Sequence, residues 1–138
     1  MGIVEKYSEF EKISLRRTGC MGTCPVYLVE IYSNGKIEYE GENFVKKTGH
    51  HSWLIDSQSI KALNKAIHKY NYFTIKPKKI EFEVTCNPSC ITSIQLKDGK
   101  YREIENYYGN DEYPKILQRL EKRIENIIGI ENYIGANQ

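Results

Sequence analysis

Asn34-Gly35 and Asp98-Gly99 each separate two short runs in which β-branched and aromatic residues alternate with polar ones. That is the signature of a β-hairpin, because Asn, Asp and Gly supply the positive φ angles that a two-residue turn requires. Val26 to Tyr32 and Lys36 to Glu40 flank the first turn; Ile91 to Leu96 and Tyr101 to Asn106 flank the second. Each hairpin follows a pair of cysteines spaced C-x3-C, and each is followed by a helical pattern. Upstream, Ile13 to Arg17 reads as a strand before Cys20 and Cys24, and Ile80, Phe82 and Val84 alternate before Cys86 and Cys90.

Between the halves, a further strand is expected from about Phe44 to Ile55, interrupted or bulged near Gly49. Ile60, Leu63, Ile67 and Tyr70 then recur at helical spacing, with Asp56 or Ser57 as the N-cap and an end near Tyr70-Asn71. The second helix is expected from near Asp111, with Pro114 in its first turn and Gly129 as its C-terminal cap. It presents Ile116, Leu117, Leu120, Ile124 and Ile127. Cys24 lies 11 positions before Gly35 and Cys90 lies 9 before Gly99. The difference is even, so the same strand faces can point inward in both halves. The expectation is an α+β fold: a mostly antiparallel sheet built from two similar β-β-β-α halves, about 13–71 and 80–129, with two helices on one face.

The chain has 138 residues, which fits one domain, and nothing in it reads as a linker. A domain of this size buries enough surface to fold without metal or disulfides, so the four cysteines need another explanation. Two C-x3-C loops at matching points could lie together as a tetrathiolate zinc site of Cys20, Cys24, Cys86 and Cys90, and zinc is the only cofactor the sequence suggests. Disulfides, within each loop or between the loops, are the favoured reading. In chain-entropy terms, closing about 5 residues within a loop is worth roughly 2 kcal/mol and closing about 66 between the halves roughly 4 kcal/mol. Reduced thiols are the third reading. A thioredoxin-like redox site would place C-x-x-C at a helix start, whereas both pairs here sit between strands with x3 spacing.

Other residue types point less sharply. His50 and His51 are adjacent on an expected strand, so they face opposite sides and do not share a metal without a bulge. His50, Trp53, Tyr107 and Tyr108 are candidate ligand contacts. Strand tyrosines mostly pack on their sheet, and an aromatic face for nucleic-acid bases is the alternative. Lys76, Lys78 and Lys79 cluster around Pro77 and would be its basic contacts, although a solvated basic loop is the favoured reading of them.

With 20 basic and 18 acidic residues the chain as a whole is not a polycation. It has no G-x-x-x-x-G-K, G-x-S-x-G or H-E-x-x-H motif and no recognisable acid/base pair, so enzymatic activity is not expected. Met1 to Lys6 lacks the apolar core of a signal peptide, and no run is long and apolar enough to span a membrane. Cytoplasmic residence without membrane association is the expectation.

The run Ile13 to Tyr27, with Cys20, Gly22, Cys24, Pro25 and Tyr27 in a C-x-G-x-C-P-x-Y pattern, resembles a bacterial and archaeal family of unknown function. The likeness continues through Gly35 to Gly41, Val45, Gly49, Phe73, Tyr107 to Gly109, and Leu117, Leu120 and Glu121. The resemblance implies no particular activity. Many members look exported or lipid-anchored. Where members tend to have Thr-Asp, this chain has Thr85-Cys86, and Cys90 is likewise outside the usual pattern. A four-cysteine zinc site would then belong to this protein rather than to the family, which favours added disulfides. The leading functional reading is a small binding or interaction module, for an unknown protein or small ligand, clasped by its cysteine loops. Zinc-binding or thiol-redox chemistry is the alternative, and nucleic-acid binding the third.

Overall fold

The computed structural model describes residues 8–77, 87–109 and 113–135. The elements run β1 (Phe10–Arg17), β2 (Val26–Tyr32), β3 (Lys36–Asn43), β4 (Gly49–Leu54), α1 (Ser57–Lys69), β5 (Ser89–Leu96), β6 (Tyr101–Tyr107), α2 (Lys115–Ile128) and α3 (Glu131–Ile134). The strands form one sheet in the order β4-β3-β2-β1-β5-β6, and every neighbouring pair is antiparallel. The fold is α+β. None of the helices among the described residues is long and apolar enough to cross a membrane.

Alternation decides which face is covered. Ile13 and Leu15 of β1, Val29 and Ile31 of β2, Ile37 and Tyr39 of β3, and Ile94 and Leu96 of β5 are buried, while the residues between them are at least partly exposed. Leu63, Ala66 and Ile67 of α1 and Leu117, Leu120, Ile124 and Ile128 of α2 complete the same core. Period 2 on the strands and period 3.6 on the helices therefore meet in one apolar layer. The opposite sheet face carries ion pairs instead, among them Lys12–Glu30 at 2.8 Å and Arg16–Glu42 at 3.3 Å.

Both hairpins close at the expected dipeptides but by a different turn. Only the glycine of each adopts positive φ, 94° at Gly35 and 96° at Gly99, and the loops span three residues (33–35) and four (97–100) rather than two. Asn34 Oδ1 accepts the Lys36 backbone N–H at 3.0 Å, and Asp98 Oδ1 accepts that of Lys100 at 2.9 Å. The short polar side chain thus satisfies a backbone donor while the glycine makes the bend. Any Cβ at position 35 would sit 2.6 Å from the Ile55 carbonyl oxygen, so this turn requires glycine sterically as well as conformationally.

Other boundaries shift for local reasons. β1 begins at Phe10, three residues earlier than Ile13. β4 begins only at Gly49, because Phe44 takes φ 53° and the Lys46 and Lys47 N–H groups donate to the carbonyls of Ile134 and Tyr133. Asp56 caps α1 by accepting Ser59 N–H at 2.9 Å. α1 gives way at Tyr70, before Asn71 at φ 56°. Pro114 is the N-cap residue of α2 rather than a member of its first turn, with extended ψ of 151°, and Gly129 closes the helix at φ 73°. The strand expected over Ile80, Phe82 and Val84 lies outside the described residues, as does Asp111.

Candidate functional site

One rung of the sheet is polar where its neighbours are apolar. Pairing places Tyr27 of β2 opposite Arg17 of β1, Arg17 opposite Cys90 of β5, and Cys90 opposite Asn106 of β6. All four side chains lie on the core face and are buried. Above this rung α2 presents Glu121 and Glu125, one helical turn apart and likewise buried.

The groups satisfy one another completely. Arg17 grips Glu125 bidentately, Nε to Oε2 at 2.9 Å and NH2 to Oε1 at 2.7 Å. The Tyr27 hydroxyl donates to the same Glu125 oxygen that accepts Arg17 Nε. The remaining guanidinium nitrogen, NH1, donates to the Tyr108 hydroxyl at 2.6 Å, and that hydroxyl donates to Glu121. Asn106 Nδ2 donates to the other Glu121 oxygen at 3.0 Å. No buried side-chain nitrogen or oxygen among the described residues lacks a partner. Burial pushes the Glu121 carboxyl up from its ordinary range, against donors that favour its ionised form. Burial likewise pushes up the Cys90 thiol and the Tyr108 hydroxyl. Arg17, the one buried cation among the described residues, is committed to Glu125, which leaves Glu121 hydrogen-bonded by neutral donors.

The polar rung floors a cleft of about 540 Å³. Arg17, Tyr108 and Glu125 reach it from below. The loop after β1, with Thr18, Cys20, Cys24 and Pro25, makes one wall; Lys122 and Asn126 of α2, with Ile130 and Ile134, make the other. Cys20 and Cys24 are joined as a disulfide with their Cα atoms 5.7 Å apart. Gly22 N–H points back to Cys20 Sγ at 3.3 Å, so the loop is a tight crossing rather than a long flap.

The candidate residues separate accordingly. Cys20, Gly22, Cys24, Pro25 and Tyr108 meet at the cleft, and Tyr27 lies beneath it. Gly35 serves the hairpin at the other end of β2. Tyr107 pairs with Ser89, and its side chain alternates away from the buried Asn106. His50 is exposed on the open face, 2.8 Å from Glu38. Trp53 faces the core side, where its Nε1 donates to the Ile128 carbonyl at 3.0 Å and its ring stacks on Tyr133 at 4.0 Å. Lys76 is exposed; Lys78, Lys79 and Cys86 lie outside the described residues.

Cys90 corrects the expectation of a second cysteine loop. It is a fully buried residue of β5, because Ser89 already pairs with Tyr107, accepts the Thr18 backbone N–H and donates its own N–H to Thr18 Oγ1. As a disulfide, Cys20 and Cys24 offer no thiolate to a metal. Among the described residues no three His, Cys, Asp or Glu side chains are grouped to hold a metal ion.

Arg17, Glu121, Glu125 and Asn106 were absent from the sequence-derived candidates. Their signal was present in the patterns themselves. Arg17 continues the inward alternation of Ile13 and Leu15, and Glu121 and Glu125 stand on the buried flank of the stripe Leu117, Leu120, Ile124 and Ile128. A charge at an inward position in both elements is what an opposing buried pair looks like.

No curated protein matches the chain. The family model described as Domain of unknown function (DUF6438) matches residues 11–128, nearly the whole sheet and α2, and the chain belongs to that family.

Proposed function

We propose that the protein is a small binding module whose ligand site is the cleft between the disulfide loop and α2, and that it acts by recognition rather than turnover. The observation that supports this is the cleft's construction. Its floor is a hydrogen-bonded network fixed from four strands and one helix, and its wall is a loop of five residues closed by the Cys20–Cys24 bond. A site whose polar groups are already oriented loses little entropy when a ligand arrives. The walls combine apolar surface from Pro25, Ile130 and Ile134 with Lys122, Asn126 and Glu131 at the mouth, the mixture usual for small-ligand pockets. A drug-sized ligand or a short segment of a partner chain fits this volume.

A fragment library screened by amide chemical-shift perturbation tests the reading. Hits should move amides of residues 18–24 and 122–135 together, and Asn126→Trp, which fills the mouth, should abolish them. Hits that gather elsewhere, or that survive Asn126→Trp, contradict it.

The oxidised pair at the rim favours thiol exchange as a second reading. A dithiol partner would attack the Cys20–Cys24 bond through a mixed disulfide and leave as its own disulfide, transferring two electrons and two protons to the loop. A two-dalton mass gain on incubation with an equimolar reduced dithiol protein, matched by oxidation of that protein, supports exchange. A loop that stays oxidised while the partner stays reduced rejects it.

A further inference from the structure

The outward faces of α1 and α2 differ in charge from the open face of the sheet. α1 exposes Lys61, Lys65 and Lys69, and α2 exposes Lys115, Arg119, Lys122 and Arg123. α1 contains no carboxylate, and both carboxylates of α2 are turned into the polar rung. Among the described residues none of these seven cations is in an ion pair or donates a side-chain hydrogen bond. On the open sheet face, by contrast, Lys12, Arg16 and Lys36 are each matched to a glutamate within 3.3 Å. The chain's net charge is only +2, so setting aside the two helices' seven cations and the two carboxylates of α2 leaves 13 basic against 16 acidic residues elsewhere. Charge is segregated between the two layers of the fold.

The two helices pack on the same sheet face and against each other, so their solvent sides look in one direction. Successive cations of the α1 stripe are four residues apart, about 6 Å along the axis, and each stripe is roughly 12 Å long. A groove of about 360 Å³ crosses this face between Tyr70 and Lys115, Arg119, Lys122 and Arg123. The Lys69 ammonium lies over the Tyr70 ring, 5.7 Å from its centroid. The large exposed apolar side chains, Met21, Phe44, Leu54 and Tyr101, are all on other elements, so this face has nothing to insert into a bilayer.

We propose that the outer face of the α1–α2 layer binds nucleic acid through its phosphate backbone, without reading base sequence. Unpaired lysine and arginine spread over two adjacent stripes suit a polyanion whose charges recur along a line, and counterion release drives such binding. The surface adjoins the disulfide cleft, with Lys122 and Asn126 on their shared edge, and it uses neither the strand tyrosines nor the segment around Pro77.

Fluorescence anisotropy of the full chain with a labelled 20-base-pair DNA duplex and its single strand tests the proposal. With about four phosphates engaged, duplex affinity should fall roughly a hundredfold between 50 and 200 mM salt. Joint reversal of Lys65→Glu, Arg119→Glu and Arg123→Glu should weaken binding at least tenfold, and the same three positions changed to Gln should weaken it in the same direction. Lys122 is left intact because it also borders the cleft, so the two proposals fail separately. Reversal of Lys12, Arg16 and Lys36 on the sheet face alters net charge equally and should change affinity less than twofold. Equal loss from both sets, or no binding at 50 mM salt, overturns the proposal. So does binding to phosphatidylserine vesicles through these cations without binding to the duplex.

Discussion

Arg16 and Arg17 are consecutive residues of one strand, and each meets a glutamate, yet the two pairs have little in common. Arg16 points to the open face, where one nitrogen lies 3.3 Å from Glu42 and both side chains are about 40 % exposed. Arg17 points to the core, where two nitrogens grip Glu125 at 2.9 and 2.7 Å and both side chains are about 10 % exposed. Water screens the first pair and leaves it worth little. The second pair has lost its water, so each partner depends on the other. The lesson is that identity and spacing do not set what a charge contributes; the strand face it occupies does.

Deleting one partner of the buried pair should have the largest effect. Arg17→Ala or Glu125→Ala should each lower unfolding free energy by about 3–5 kcal/mol in urea titrations, since the remaining charge is stranded. Tyr27→Phe removes one donor to the Glu125 carboxylate and should cost about 1.5–3 kcal/mol. Opening the loop by Cys20→Ser with Cys24→Ser should cost about 2 kcal/mol, the chain entropy of so short a closure. Arg16→Ala should change stability by less than about 1 kcal/mol; a loss as large as that of Arg17→Ala would erase the contrast.

A pH series sharpens the comparison further. Burial raises the Glu121 carboxyl, so the folded chain holds this proton more tightly than the unfolded chain does. Its stabilising contribution is therefore complete below the ordinary glutamate range and is lost as pH rises through the raised value. Glu121→Gln removes that dependence. The wild type should lose stability relative to Glu121→Gln as pH increases from about 4 towards 8, and an unchanged difference would count against a buried proton at this position.

Much of this architecture was legible because local chemistry and global position agree. The turns at Gly35 and Gly99, the Asp56 cap and the Gly129 end each follow from a residue whose own conformation fixes the chain. The loop at Phe44 to Thr48 was not legible, since its N–H groups are satisfied by carbonyls of Tyr133 and Ile134 some 87 positions away. The cysteine spacing pointed to the right loop at Cys20 and Cys24 but misread Cys90, because spacing does not say whether a residue belongs to a strand. The polar rung was the harder loss. Tyr27, Arg17, Cys90 and Asn106 are far apart in sequence and meet only through strand register, although the misplaced charges on β1 and α2 each announced an inward position.

The most direct test of the polar rung is a double-mutant cycle on Arg17→Met and Glu125→Leu, with stability read by denaturant unfolding. The two sites should be strongly coupled. The double variant should be less destabilised than the sum of the singles by about 2 kcal/mol or more, because it removes both charges and leaves neither stranded. Additivity within about 0.5 kcal/mol would show that the two residues act independently, and the buried pair would no longer explain how the cleft floor is held.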